Sequence, residues 1–243
     1  MNKNKPKISR IGESVYSLDW SFGIDPQQHS KLLQLADILG LTMQDKISDL
    51  TIGYQSILIE FQNLVSVKDI ERAMNEIDLS KIKVGHPSRT RWHIPLLYAT
   101  EENSDLFRLA AEKKIQPSEL IELHASVSYR VYFMGFLPGF PYLGGLPEVL
   151  HAPRKETPEL NIPSGSVGIG GQQTGIYPCN SPGGWHIIGK TPIVFFEAEK
   201  DPPVFIKNGD EIKFEPVSEK MFDLIEKECK SGAYRIKKQP IDD

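Results

Sequence analysis

Two side chains stand close together in sequence with the reach for acid–base or anion chemistry: His124 and Arg130. His124 falls at the end of a predicted helix, where an imidazolium gains from the helix dipole. Arg130 opens a predicted strand, and a guanidinium there suits a carboxylate or phosphate held by two parallel hydrogen bonds. Both placements also serve ordinary structural ends. Around them, residues 129–192 hold half of the 18 prolines and most of the 19 glycines. Such a stretch builds turns and bends rather than helix, because glycine supplies positive φ and proline removes donors. For any single glycine, a turn closing a β-barrel is the simpler explanation. The run as a whole is different, since Ser164, Gly165, Ser166, Gln172, Gln173 and Tyr177 mix small polar groups with glycine beside aromatics. That mixture suits a substrate pocket. Phe136, Phe140, Tyr142 and Trp185 read as exposed aromatic anchors for a partner.

Three motif matches fail on context. Gly184 to Thr191 spells the phosphate-loop pattern G-x-x-x-x-G-K-[ST], but its variable residues are bulky strand formers and Pro192 precedes more strand, not a helix. Ser164-Gly165-Ser166-Val167-Gly168 lacks the first glycine of a nucleophile elbow. Gly168-Ile169-Gly170 lacks the third glycine of a dinucleotide fingerprint, where Gln173 stands instead. Nothing near Cys179 in sequence lowers a thiol pKa.

The elements that must position these residues fall into two groups. Residues 8–20 alternate as a strand or bent strand pair. Asp25-Pro26 opens a helix whose stripe is Leu32, Leu33, Leu35, Ala36 and Leu39, with Gly40 as its stop. A strand pair spans Leu50 to Phe61, a second helix residues 67–77, and Trp92 to Tyr98 is strand-like. The order βαββαβ is the ferredoxin-like arrangement. Residues 78–91 look like a connector, with domains placed at 1–88 and 89–243. Beyond it come short helices at 105–113 and from a cap near Ser118, a strand at 129–134, and strand candidates at 187–188, 193–196, 204–206 and 211–214. An amphipathic helix over 218–230 ends at Gly232. Many short strands with Gly/Pro turns suggest a barrel, so the fold class is α+β.

The totals exclude several classes. With 243 residues, 25% charged side chains and a net charge of −4, the chain has no basic stripe for nucleic acid. It has no apolar run of membrane-spanning length, no signal-peptide core and two cysteines, Cys179 and Cys229, too few for a disulfide framework or a metal site. The cytoplasm is the expected compartment.

Residues 129–146, His151 to Arg154, Ile162 to Pro178 and Ser181 to Trp185 together resemble the allophanate hydrolase subunit 1 family. That family includes the B component of the prokaryotic ATP-dependent 5-oxoprolinase and the Kip-type inhibitor of a sporulation histidine kinase. The resemblance implies a cyclophilin-like β-barrel as the second domain. It implies a C-type barrel partner, similar to allophanate hydrolase subunit 2, and a third component, which together open the lactam of 5-oxoproline to glutamate with ATP. The alternative it implies is a regulator that blocks autophosphorylation of a histidine kinase. On the first reading this chain supplies half a cleft and is inactive alone, with ATP bound mainly by the partners. Glycine-rich backbone would donate to developing oxyanion charge and Arg130 would clamp the anion, with His124 the second catalytic candidate.

Overall fold

The structure is a computed structural model and describes residues 5–21, 23–77 and 89–241. The chain divides into two compact units, Met1–Pro87 and Ser88–Asp243.

The first unit is a four-stranded antiparallel sheet with two helices. β1 (Lys7–Arg10) and β2 (Val15–Asp19) form a hairpin, and α1 (Pro26–Thr42) leads to a second hairpin of β3 (Ile47–Ile52) and β4 (Ser56–Phe61). The Asp25 carboxylate accepts from the Gln28 amide at 2.8 Å, and Pro26 follows at the first helical position. Gly40 does not stop this helix, which runs two residues further, to Thr42; the space around Gly40 is open and nothing forces an exit. α2 (Val67–Glu76) starts at Ser66, whose hydroxyl oxygen accepts from the Asp69 amide. Sheet order is β1-β2-β4-β3. Tyr16, Leu18, Ile57, Ile59 and Phe61 meet Leu32, Leu35, Leu39, Ile70 and Met74 in its core.

One expected element is missing from this sheet. Trp92 to Tyr98, read as the closing strand of a βαββαβ unit, lies in the second unit, and the seat beside β2 is filled by β1. The middle strands keep the order in which β4 sits between β2 and β3. Of the connector expected over 78–91, residues 78–88 lie outside the described residues, and the rest already belongs to β5 (Arg89–Tyr98).

The second unit is built on that ten-residue strand. It continues with α3 (Asp105–Lys113), α4 (Pro117–Ser126), β6 (Tyr129–Met134), β7 (Pro141–Gly144), β8 (Glu159–Ile162), β9 (Ser166–Gly170) and β10 (Gln173–Ile176). β11 (Ser181–Gly183), β12 (His186–Lys190), β13 (Glu211–Pro216), α5 (Glu219–Lys230) and β14 (Lys238–Ile241) complete it. Seven strands close into a barrel in the order β5-β13-β6-β7-β10-β9-β12, with β12 returning to the far end of β5. β13 runs parallel to β5, with Phe214 opposite Ile94, while β14 covers the first half of β5. Ile94, Leu96, Val131, Leu143, Val167, Ile169, Ile188 and Phe214 fill the interior.

Several expectations shift. α4 is capped at Gln116 with Pro117 first, so Ser118 lies inside the helix. Residues 193–196 and 204–206 form no strand, although Ile193, Phe195 and Ile206 are buried. Pro192, Pro202 and Pro203 lack the N–H a ladder needs. Conversely, the glycine-rich stretch of residues 129–192 contains seven strands, β6 to β12, and of these only β6 and the middle of β12 were expected.

Candidate functional site

Glycine in β9 and β10 makes room for rings. A Cβ on Gly170 would lie 2.6 Å from the Trp185 indole, and one on Gly175 would lie 2.9 Å from Trp185 and 3.0 Å from Phe140. A Cβ on Gly183 would meet the Tyr177 hydroxyl at 2.3 Å. The bare backbone is therefore a floor on which Phe140, Tyr177 and Trp185 lie with Ile162 as a second, smaller core. Phe140 meets Tyr177 and Trp185 edge to face, with ring centroids 5.1 and 5.5 Å apart. Tyr142, half-buried, stacks on Phe133 at 4.4 Å, and exposed Phe136 leans edge-on against Phe140.

This corrects the reading of four exposed anchors. Phe140 is 1% and Trp185 4% exposed, whereas Phe136 is 60% exposed. Phe136 is held out by its backbone. Its φ is +67°, and the Leu137 amide donates to the Gly135 carbonyl at 2.8 Å, a γ-turn centred on an aromatic residue. Pro138-Gly139, with Gly139 at φ +79°, then turns the chain into Phe140.

The expected substrate cluster does not converge. Ser164, Gly165, Ser166 and Tyr177 sit at one end of the β9–β10 hairpin, Gln172 and Gln173 at the other. The span of β9 between them is about 13 Å at strand rise. The amides at the first end are also spent on the barrel itself. Ser164 N donates to Asn180 Oδ1, Gly165 N to Tyr177 O, Ser166 N to Pro163 O and Tyr177 N to Ser166 O. Those groups are not free to stabilise an oxyanion. Tyr177 and Ser166 are buried, while Ser164 and Gln172 are exposed.

His124 is corrected as well. It sits at 0% exposure with its ring stacked on Phe214 at 5.0 Å. Thr174 Oγ1 donates to Gly168 O at 2.9 Å, so it accepts from His124 Nε2 at 3.1 Å; Nδ1 then accepts from the Tyr98 hydroxyl at 2.7 Å. The tautomer assigned from this network is neutral, and burial pushes the imidazole pKa down to about 3. It is no imidazolium at a helix end. Tyr129, whose hydroxyl donates to His124 O, closes the network. Arg130 is half-buried on β6, opposite Gly144 on one side and Glu211 on the other. The Glu211 carboxylate is paired with Arg91 at 2.8 Å.

Arg154 was not singled out from sequence as a site residue, though it ends the His151 to Arg154 segment. It is exposed beside Gly184, and its charge opposes the burial that raises the Tyr142 and Tyr177 hydroxyls, the latter to about 12. The neighbouring Lys155 ion-pairs with buried Asp105 and with Glu159. The candidate site is the surface over this buried aromatic cluster, where Phe136 and Arg154 are exposed and Tyr142 is half-buried.

The phosphate-loop match falls on β12, hydrogen-bonded to β9 and β5, with no helix after it. A Cβ on Gly189 would lie 2.5 Å from Leu97 O, so that glycine serves strand packing, and the segment does not fit a nucleotide phosphate. Among the described residues no group of three or more His, Cys, Asp or Glu could hold a metal ion, and no helix is long and apolar enough to cross a membrane. Burial raises the Cys229 thiol pKa.

An α+β chain with a closed seven-stranded barrel and an aromatic shelf laid over glycine is the class this geometry defines. The chain belongs to the family of the carboxyltransferase domain, subdomain C and D, matched over residues 6–206, and within it to the allophanate hydrolase subunit 1 group. It is 48% identical over 126 residues to the 5-oxoprolinase B subunit of Escherichia coli O157:H7 (52% of this chain, 58% of that one). Identity is 45% over 135 residues to that of Bacillus subtilis (56% of each). It is 37% over 195 residues to that of Haemophilus influenzae (80% and 84%). The matches thus span a little over half the length of the first two relatives. Among solved structures, TTHA0988 superposes with a TM-score of 0.72 at 27% identity, covering 84% of this chain and 40% of that one. Urea amidolyase of K. lactis shares the fold, with a TM-score of 0.81 at 17% identity over 99% of this chain and 17% of that one.

Proposed function

We propose that the chain is the B subunit of an ATP-dependent 5-oxoprolinase in the cytoplasm, a cyclic amide hydrolase that opens 5-oxo-L-proline to L-glutamate. It acts with a C-type barrel protein and a third component. The observation that carries this reading is the 37% identity over 195 residues to the Haemophilus influenzae B subunit, which runs through both units of the chain.

The site's chemistry supports a shared cleft. An unstrained lactam resists hydrolysis, and its activation needs donors aimed at developing charge on the carbonyl oxygen. The hairpin amides from Ser164 to Ser166 are spent, and the segment from Gly184 to Thr191 is strand. The chain therefore contributes a binding surface, while ATP and the activating groups come from the partner proteins.

The test is reconstitution with the two partners and measurement of glutamate formed from 5-oxo-L-proline against ATP consumed. Lactam opening by the three together and none by this chain alone is the expected result. Turnover by the chain alone would refute the shared cleft, and an inactive complete complex would refute the reading. Exposed Phe136 on its γ-turn also suits a second reading, a regulator docked on a histidine kinase. That reading requires the chain alone to slow kinase autophosphorylation.

A further inference from the structure

We propose that the second unit carries a binding pocket for a small aromatic carboxylate, its ring held among Trp92, Phe205 and Tyr234 and its carboxylate on Arg235. The pocket shares no lining residue with the surface over the Phe140 cluster, and the inference does not rest on the lactam reading above.

A cavity of about 470 Å³ lies between the start of β5, the segment 193–206 and the chain leaving α5. That is the size of a small-molecule site, and it combines rings with a few polar groups as such sites do. Its floor is fixed. Trp92 Nε1 donates to the buried Asp210 carboxylate at 2.9 Å, and Phe205 meets the Trp92 ring edge-on, with centroids 4.9 Å apart. The walls are tied by main chain. The Glu197 amide donates to Pro203 O at 2.9 Å, and the Tyr234 amide to Glu228 O at 3.2 Å. Trp92, Phe205 and Tyr234 are all half-buried, so each keeps area to offer an incoming ring.

The charges select an anion. Three cations, Lys200, Arg235 and Lys238, line the cavity against one carboxylate, Glu197. Glu197 and Lys200 pair with each other at 2.6 Å. Arg235 and Lys238 are left, and neither has a carboxylate partner among the described residues. Lys238 Nζ lies over the Trp92 ring, 5.2 Å from its centroid. The Arg235 guanidinium is anchored, because Nη1 donates to Gly232 O at 3.0 Å. Its Nε–Nη2 edge has no partner among the described residues, and that edge presents two parallel donors, the arrangement that takes both oxygens of a carboxylate. In a chain of net charge −4, two unanswered cations at one ring-lined cavity call for a ligand that is both aromatic and anionic. A neutral ring would leave the cations unanswered, and a bare anion would gain nothing from the rings.

The test is saturation-transfer NMR on the full chain with indoleacetate and its uncharged amide, indoleacetamide. The acid should bind about 10- to 100-fold more tightly than the amide, the difference made by a charge-assisted hydrogen-bond pair. Arg235→Ala should remove that difference by weakening the acid alone. Val194→Trp, which fills the cavity, should abolish binding of both probes, and equimolar acetate should displace neither. Arg235 and Val194 are exposed, so neither change removes a core contact. No binding of the acid to wild type, equal binding of acid and amide, or displacement by acetate overturns the pocket. So does acid binding that is unchanged in Arg235→Ala or survives in Val194→Trp. None of these outcomes bears on lactam opening by the complete complex.

Discussion

The hydroxyl of Tyr98 and Nδ1 of His124 lie 2.7 Å apart inside the second unit, with His124 fully buried. Because Thr174 occupies the other ring nitrogen, the imidazole is locked neutral, and α4 is tied to β5 and β10 by one side chain.

Stability therefore depends on pH through His124. Its pKa is about 3 when folded and about 6.5 when exposed, so the unfolded chain binds the extra proton between those values. The contribution of the neutral ring is fully present above pH 6.5 and falls by about 1.4 kcal/mol per unit as pH drops through that window. Urea denaturation at pH 7.5, 6 and 5 should give a steeper decline for wild type than for His124→Gln. Parallel curves would mean the ring accepts the proton without unfolding.

Adjacent glycines in the β9–β10 hairpin should fail differently. Gly170→Ala drives a methyl to 2.6 Å from the Trp185 indole, and overpacking of this kind costs about 1–3 kcal/mol. Gly171 has open space but a φ of +67°, so Gly171→Ala costs about 1–2 kcal/mol through backbone strain alone. Denaturation gives both losses; a shift in tryptophan emission should appear only in Gly170→Ala. An unshifted spectrum there would show that Trp185 does not rest on this glycine.

Phe136→Gly removes an exposed ring and relaxes a left-handed backbone. The isolated chain should be as stable as wild type or gain up to about 1 kcal/mol. Assembly with the partner proteins should weaken at least about tenfold if this aromatic is an interface anchor. Loss of chain stability with assembly intact would assign the ring to the fold through its contact with Phe140.

Asp210 is 4% exposed and accepts three hydrogen bonds, from Thr90 N, Trp92 Nε1 and Lys207 N. Asp210→Ala strands all three donors, each worth about 1–3 kcal/mol when buried without a partner. A loss of at least about 3 kcal/mol, read by urea denaturation, is expected. A smaller loss would mean that water reaches the start of β5.

Signals contained within a few residues were enough to outline the elements and the family. Asp25-Pro26 marks the start of α1, residues 105–113 and 219–230 are helical, and residues 129–134 form a strand, all as capping chemistry at Asp25 and apolar patterning predict. The motifs from Tyr129 to Trp185 carried the family likeness unaided. Tertiary structure decided which sheet each strand joins. Trp92 to Tyr98 pairs with a strand more than a hundred residues away, a choice made by nonlocal packing, and Lys7–Arg10 takes the seat it was expected to fill. Only the fold could also say why the glycines are there. Gly170 and Gly175 are bare because Trp185 and Phe140 arrive from elsewhere to lie on them, so residues that look like exposed anchors are core. Burial is set by what packs across a surface, and that partner is invisible to any window of sequence. The same holds for His124, neutral because Phe214, Tyr98 and Thr174 surround it.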